Sequence, residues 1–190
     1  MKLKSLKSNK GKNIEGIYLI QPNLIEDNRG FFMESWNQDT FDRILRKEVK
    51  FVQDNHSQSH KNVLRGLHFQ NSPFEQGKLV RCVKGEIYDV AVDIRIKSKS
   101  FGEWTSTILD DTFHNQLWIP EGFAHGFLTL SQTAIVLYKA TNYYNKDSER
   151  TILWSDKFLD ISWPLFNFEP IISTKDKKGL NFNNLKTNFN

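Results

Sequence analysis

The sequence lacks several features that would each indicate a different class of protein. It has 190 residues and a single cysteine, Cys82, which excludes an internal disulfide and is typical of a reducing cytoplasm. It has no apolar run of about 18 residues, which a membrane-spanning helix would need. Its first twelve residues are rich in lysine but contain no apolar core, unlike a secretory signal. These absences predict a cytoplasmic chain with no membrane partner.

Positive charge is in excess, but its distribution does not favour nucleic-acid binding. The formal net charge is +4, and five lysines fall within the first twelve residues. Lysines near a chain terminus are usually solvated. The sequence has neither a basic helix nor zinc-finger spacing, so we expect no nucleic-acid partner. Cationic side chains inside a cleft would instead suit an anionic small molecule such as a phosphate ester.

Short apolar runs separated by turn-forming residues dominate the pattern. About eight to ten such runs are present, and Thr133–Ala140 alternates as a strand does. We therefore predict an all-β chain, an antiparallel sandwich or barrel with one or two short helices, the clearest from Asn37 to about Val49. Residues 1–13 are predicted to be a flexible tail, residues 14–180 a single domain and residues 181–190 a disordered tail.

The polar stretch around His68 is the first candidate for chemistry. Strand alternation would place Leu64, Gly66 and His68 on one face. A histidine that faces a barrel interior usually has a function, since burying one without a partner is unfavourable. The alternative is a core or surface histidine with satisfied hydrogen bonds. Arg65 and Lys78 favour the functional interpretation, because cations on adjacent strands can converge on one anionic intermediate.

A second histidine, His125, follows a tight turn in the segment P-E-G-F-A-H. This spacing resembles the second histidine motif of the cupin superfamily. Metal-binding cupins also have two histidines one residue apart, whereas this chain reads H-F-Q from His68. His56 and His60 lie in a non-helical segment and need not share a face. We therefore expect no metal site.

Six segments of the chain form a recognisable set: DNRGFFME from Asp27, QDNHS from Gln53, LRGLH from Leu64, QGKLVR from Gln76, DVAVD from Asp89 and LWIPEGFAHGF from Leu117. Together they resemble the dTDP-4-dehydrorhamnose 3,5-epimerase family, and the resemblance extends from about Ile17 to Asp176. It implies a jelly-roll β-barrel of the cupin type, a homodimer, a dTDP-sugar substrate and no cofactor. The implied reaction converts dTDP-4-dehydro-6-deoxy-D-glucose to dTDP-4-dehydro-L-rhamnose.

The resemblance also implies a role for individual residues. His68 would be the general base, with Asp176 as the carboxylate that orients it. Tyr138 would be the acid on the opposite face of the sugar, and Lys78 would stabilise the enolate oxygen. In the family, the partner subunit contributes part of each site, which would explain a substrate-binding role for Arg29 and Glu34. The nucleotide sugar would be held by Arg29, Glu34, Gln53, Asp54, Asn55, Arg65, His125, Glu149 and Lys175.

These residue types suit the implied chemistry. The protons at C3 and C5 flank a C4 ketone, so a base with a pKa near neutral can remove each to give an enolate. A fixed ammonium near O4 lowers the barrier, and reprotonation from the other face needs a second group. Three alternatives stay open at this point: epimerisation at C3 alone or of another nucleotide 4-keto sugar, a cupin that only binds such a sugar, and a metal-dependent cupin oxygenase. The missing second histidine of the first motif disfavours the last.

Overall fold

Strands account for most of the regular structure in the computed structural model, which describes residues 1–189. There are two helices, α1 (Gln38–Leu45) and α2 (Thr174–Lys177), and one 3₁₀ turn at Phe182–Asn184 within this range. The strands are β1 (Lys2–Lys7), β2 (Asn13–Gln21), β3 (Ile25–Asp27), β4 (Gly30–Phe32), β5 (Gln53–His60), β6 (Leu64–Gln70), β7 (Lys78–Lys84), β8 (Glu86–Asp93), β9 (Trp104–Asp110), β10 (Gln116–Ile119), β11 (Phe123–Thr129), β12 (Thr133–Ala140) and β13 (Glu149–Thr151).

The strands form two antiparallel sheets that pack face to face. One sheet has the order β1-β2-β10-β7-β12-β5, the other the order β13-β6-β11-β8-β9, and β3 and β4 form a separate hairpin. Apolar residues of both sheets, among them Val80 and Val136 from the first and Ile87 and Phe127 from the second, form the core between them. The prediction of an all-β chain with two short helices is therefore confirmed. Neither sheet closes on itself by hydrogen bonding.

The two outer faces are covered by different parts of the chain. Helix α1 lies over the six-stranded sheet, where Phe41 packs edge-on against Trp118. The helix begins after Asn37, whose side chain accepts a hydrogen bond from the Thr40 amide, and ends at Arg46 in the left-handed conformation. It is therefore shorter than the predicted Asn37–Val49. The C-terminal third of the chain covers the five-stranded sheet through a second apolar cluster. Within residues 1–189 no helix has the length and apolar character to cross a membrane.

The prediction of a flexible N-terminal tail is wrong for Lys2–Lys7. These residues form β1, which pairs with β2 at the edge of the six-stranded sheet. Leu6 is half-buried against the core between the sheets and Leu3 against the cluster that includes Phe41 of α1, while Lys2, Lys4 and Lys7 stay exposed. These apolar contacts explain why the segment is ordered despite its charge. Exposed lysines on an edge strand also discourage pairing with another chain.

The predicted disorder at the C-terminus is wrong for Phe182–Asn184. Phe182 is 4% exposed and packs in parallel on Phe158, with ring centroids 5.3 Å apart. Asp156 accepts a hydrogen bond from the Phe182 amide at 2.8 Å. Asn190, the last residue of the predicted tail, lies outside the described residues. The boundaries 14–180 of a single domain stay a prediction.

Candidate active site

Polar and charged side chains from both sheets converge on a cavity of about 420 Å³. The five-stranded sheet contributes His68 from β6 and His125 from β11. The six-stranded sheet contributes Lys78 from β7 and Tyr138 from β12. Facing sheets of a sandwich lie about 10 Å apart, so a small molecule between them meets one set of groups on each face. Asp176, from α2, lies in the same cavity wall.

The best-defined pair in this cavity is His68 and Asp176. The imidazole Nε2 lies 2.6 Å from Asp176 Oδ1, and the carboxylate side chain is 3% exposed. Burial lowers the pKa of His68, and the hydrogen bond and charge of Asp176 offset this only in part. Burial acts to raise the pKa of Asp176, but the hydrogen bond from His68 and the other contacts outweigh it, so this pKa is lowered. A neutral imidazole oriented by an ionised carboxylate suits a general base near neutral pH.

A β-bulge in β6 determines which residues accompany His68. His68 lies opposite His125, but the next aligned pair is Arg65 and Phe127, so β6 has one more residue than β11 between these pairs. Gly66 occupies the bulge with φ at +120°, and a Cβ there would lie 2.6 Å from the Gly126 Cα. The predicted face of Leu64, Gly66 and His68 is therefore wrong. Arg65 and His68 share the cavity, whereas Leu64 packs in the outer apolar cluster.

Lys78 and Tyr138 lie together on the wall opposite His68. Lys78 is 9% exposed, and its Nζ lies 5.9 Å from the centroid of the Tyr138 ring. Burial lowers the pKa of Lys78 to about 8, although the charges of Asp89 and Glu149 oppose this shift. Burial, together with the charge of Glu149, raises the pKa of Tyr138. At neutral pH the lysine is therefore a buried cation and the tyrosine a protonated phenol.

The rim of the cavity is formed by a charged cluster around Glu149. Its carboxylate accepts hydrogen bonds from Lys175 Nζ at 2.7 Å and from the Tyr144 hydroxyl at 3.1 Å. On the other side of the cavity Arg65 donates to Ser59 Oγ at 2.9 Å and to the Gln58 carbonyl at 3.1 Å. Arg65 and Lys175 thus supply positive charge at the rim, as an anionic substrate would require.

Asp89 is a buried partner of His125 that sequence reasoning assigned no role. Its carboxylate oxygens lie 2.9 and 3.0 Å from the His125 Nε2, and the residue is 0% exposed. A signal for it was present, because Asp89 directly precedes three apolar residues in the strand segment D-V-A-V-D. A carboxylate in such a strand needs a polar partner, and His125 is that partner.

Several residues predicted to bind the substrate lie outside this cavity. Arg29 is on the exposed β3–β4 hairpin, where it pairs with Asp27, and Glu34 is exposed and accepts a hydrogen bond from Asn37. The other three belong to β5: Gln53, which accepts from the Tyr144 amide at 2.9 Å; Asn55, which accepts from Gln53 at 2.9 Å; and Asp54, which pairs with Lys139 at 2.9 Å. Of the predicted site residues, those in the cavity wall are Arg65, His68, Lys78, His125, Tyr138, Glu149, Lys175 and Asp176.

Over residues 1–189, no three His, Cys, Asp or Glu side chains are grouped so that they could hold a metal ion. The expectation that the chain needs no metal or other cofactor stays a prediction.

A protein-family model described as dTDP-4-dehydrorhamnose 3,5-epimerase matches residues 11–184. The chain belongs to this family. A dTDP-4-dehydrorhamnose 3,5-epimerase of Salmonella typhimurium is 56% identical over 163 residues, which cover 86% of this chain and 88% of that protein. The family assignment confirms the predicted resemblance and the prediction of an isomerase.

Solved structures of family members share the fold. The dTDP-6-deoxy-D-glucose-3,5-epimerase RmlC of Legionella pneumophila, in complex with dTDP-4-keto-L-rhamnose, is 42% identical with a TM-score of 0.89, over 97% of this chain and 95% of that one. ChmJ of Streptomyces bikiniensis, a 3'-monoepimerase in complex with dTDP-quinovose, is 30% identical with a TM-score of 0.83, over 88% of this chain and 84% of that one. These similarities confirm the cupin-type epimerase fold.

Proposed function

We propose that this chain is a dTDP-4-dehydrorhamnose 3,5-epimerase, an isomerase that inverts C3 and C5 of dTDP-4-dehydro-6-deoxy-D-glucose. The observation that carries the proposal is the placement of His68 and Tyr138 on opposite sheets of one cavity, with the Lys78 ammonium buried between the same walls. An inverting reaction needs a base on one face of the sugar and an acid on the other. A site that only bound the sugar would not need this arrangement.

His68 removes the proton next to the ketone. An ionised Asp176 can only accept hydrogen bonds, so the imidazole Nε2 carries the hydrogen of the 2.6 Å contact. The lone pair is then on Nδ1, which takes the proton from C3 and, in a second round, from C5. Asp176 fixes this tautomer and stabilises the imidazolium that forms.

Lys78 stabilises the enolate, and Tyr138 completes the inversion. Each proton removal places negative charge on O4, and a preorganised ammonium in a site of low dielectric stabilises that charge strongly. Its three N–H donors do not have to reorganise during the step. The Tyr138 phenol donates its proton to the carbon from the face opposite His68, which yields the inverted centre. The tyrosinate then regains a proton from solvent and the His68 imidazolium releases one to solvent, which restores both groups for the second centre.

The narrower alternative is inversion at C3 alone, and the similarity of this chain to a 3'-monoepimerase favours it. Proton NMR of dTDP-4-keto-6-deoxy-D-glucose with the chain in D₂O separates the two, with the His68→Ala variant as control. Loss of both the H3 and H5 signals, abolished in the variant, supports the proposal. Exchange at C3 alone assigns a 3-epimerase. No exchange at either carbon, from folded dimeric protein, overturns the proposal for this substrate.

The pH dependence of the reaction follows from the lowered pKa values of His68 and Lys78. His68 must be neutral to act as a base, and its pKa is lowered from 6.5, so the acidic limb of kcat/KM lies below pH 6.5. Lys78 must be protonated, so activity is lost as the pH rises through about 8. The raised pKa of Tyr138 keeps the phenol protonated throughout. A pH profile of kcat/KM checks both limbs.

The matched control for the alkaline limb is Lys78→Arg. A guanidinium stays protonated beyond pH 12, so the residual activity of this variant should keep its acidic limb and lose the alkaline one. An alkaline limb near pH 8 that persists in Lys78→Arg would assign that limb to another group.

The functional unit that we propose is a homodimer in the cytoplasm. The β3–β4 hairpin supports this, because Ile25, Phe31 and Phe32 are 65, 52 and 65% exposed and Arg29 is not part of the wall of the chain's own cavity. In the proposed dimer, Arg29 and Glu34 reach the partner's site and bind the nucleotide part of the substrate. The single cysteine, buried and unpaired, suits a reducing compartment.

Subunit complementation tests the shared site. The Arg29→Ala and His68→Ala variants are each expected to be nearly inactive, but co-expression gives mixed dimers in which one site has both residues intact. With random pairing, half of the dimers are mixed and one of their two sites works, so about a quarter of the wild-type activity returns. Mixed dimers that show no recovery would mean that each site is built from one chain.

A further inference from the structure

Three strand ends meet at one corner of the six-stranded sheet, and one of them carries Lys78. Lys78 is the first residue of β7, and its Cα lies opposite Ile119 at the end of β10 and Ala140 at the end of β12. Immediately beyond this row, Gly77 and Thr141 form one more rung. The Gly77 amide donates to Thr141 Oγ1 at 2.8 Å, and the Thr141 amide donates to the Gly77 carbonyl at 3.0 Å.

Glu121 extends this rung to the third strand. The Thr141 hydroxyl donates to Glu121 Oε1 at 2.8 Å, because the carboxylate can only accept and the hydroxyl already accepts from Gly77. The three residues thus form a directed chain, from the Gly77 amide through the Thr141 hydroxyl to the Glu121 carboxylate. Glu121 lies in the turn between β10 and β11, the strand that bears His125. A hydrogen bond that ends on a charged acceptor is stronger than a neutral one.

The packing around Gly77 leaves no room for a different arrangement. A Cβ at this position would lie 2.7 Å from the Trp118 side chain, 3.1 Å from Glu121 Oε1 and 3.2 Å from Thr141 Cγ2. The chain therefore enters β7 in close contact with the hydrogen-bonded pair. Any loss of the Thr141 hydroxyl leaves the Gly77 amide without its acceptor at the point where the strand begins.

The position of the Lys78 ammonium depends on this strand end. Among the carboxylates of residues 1–189, none forms an ion pair with Lys78. Lys78 is nevertheless buried, with only 9% of the residue exposed, so burial of its charge is unfavourable and the side chain would gain by moving towards water. What keeps it in the cavity is the backbone from which it extends, together with the Tyr138 ring that it faces.

We propose that Glu121 and Thr141 are positioning residues that hold the start of β7 so that the Lys78 ammonium stays at the reacting oxygen. This inference rests on the proposed function for the role of Lys78, but the hydrogen-bond chain itself does not. Neither residue touches the cavity. Their effect on the reaction is exerted through the placement of Lys78.

The test compares Thr141→Val, which keeps the shape but loses the hydroxyl, with Thr141→Ser, which retains it. Thr133→Val, at the opposite end of β12, is the matched control. Misplacing a catalytic group by about 1 Å costs up to about 100-fold, so we expect Thr141→Val to lower kcat about 10- to 100-fold with KM changed less than about threefold. Thr141→Ser and Thr133→Val should stay within about threefold of wild type in kcat.

A double variant separates positioning from a general loss of structure. In a Lys78→Met background, Thr141→Val should cause no further loss of kcat, because there is no ammonium left to misplace. Equal losses with and without Lys78, or a failure of serine to restore activity, would overturn the proposal.

An NMR titration of the ¹⁵N-labelled Lys78 ammonium gives a readout that needs no turnover. In the wild type its pKa should be about 8, and in Thr141→Val it should move towards the ordinary 10.5 as the group reaches water. If the wild type neither exchanges nor epimerises the substrate, the proposed function fails, yet this titration still decides the role of Thr141. An unchanged pKa of Lys78 in the Thr141→Val variant would overturn the proposal that Thr141 positions the ammonium.

Discussion

The His68→Ala variant is expected to lose proton exchange at both C3 and C5 of the 4-keto sugar, with kcat lower by about 10³- to 10⁴-fold. Both steps are assigned to one base. Two imidazoles in the cavity wall have a carboxylate partner, and His68 is the more accessible, with 25% of its side chain exposed against 7% for His125. The fold should persist, since the side chain is 25% exposed and removing it leaves no apolar void in the core. Deuterium incorporation followed by NMR measures both positions in one experiment.

Asp176→Asn is the informative companion to this variant. If the amide donates to Nε2, the imidazole hydrogen moves to Nδ1, and the base loses its free lone pair although its position is unchanged. We expect a loss of about 10²-fold or more in kcat with KM nearly constant. His60→Ala, an exposed histidine of β5 outside the cavity, is the control and should behave as wild type. Wild-type exchange in His68→Ala would assign the base elsewhere.

Lys78→Met is expected to separate activity from stability. The variant keeps a side chain of similar length but removes the ammonium, and losing one such electrostatic contact typically lowers kcat about 10²- to 10³-fold. Lys78 is 9% exposed and its pKa is lowered to about 8 by burial, so the folded state bears a cost for keeping it charged. Replacing it by an apolar side chain should therefore leave the free energy of unfolding unchanged or raise it.

Urea unfolding and steady-state kinetics on the same Lys78→Met preparation check both expectations. The result that contradicts the assigned role is full activity with normal KM. Full activity would assign stabilisation of the enolate to another cation, such as Lys175 at the rim. A large fall in both stability and activity would instead mean that Lys78 holds the cavity together.

The sequence allowed the fold class and the inner part of the site to be predicted for a physical reason. Alternating apolar residues and frequent turn formers specify strands, and the family resemblance implied roles for His68, Lys78, Tyr138 and Asp176, which lie on four separate elements. The structure brings these four residues to one cavity. Their spacing along the chain carries no information on this convergence, which depends on how two sheets stack.

Other features could not be predicted because they depend on partners distant in the sequence. The bulge at Gly66 reverses the alternation of β6, and only the register with β11 reveals it. The lysine-rich start of the chain is ordered because β2 offers an edge to pair with. Asp89 gains its significance from His125, 36 residues away. In the proposed dimer Arg29 binds the nucleotide in the partner's site, so its role depends on a second subunit.

The distribution of base and acid over two different sheets has a consequence for stereochemical fidelity. His68 and Tyr138 are joined by no common strand, so the gap between them is set by the core residues that separate the sheets, such as Phe127 and Val136. A carbanion formed beside His68 on one sheet is protonated with inversion only if Tyr138 on the other sheet is close enough to donate its proton. Core packing therefore influences how often a deprotonated centre returns to its original configuration, and a core substitution that changes the spacing of the sheets should change the ratio of isotope exchange to inversion.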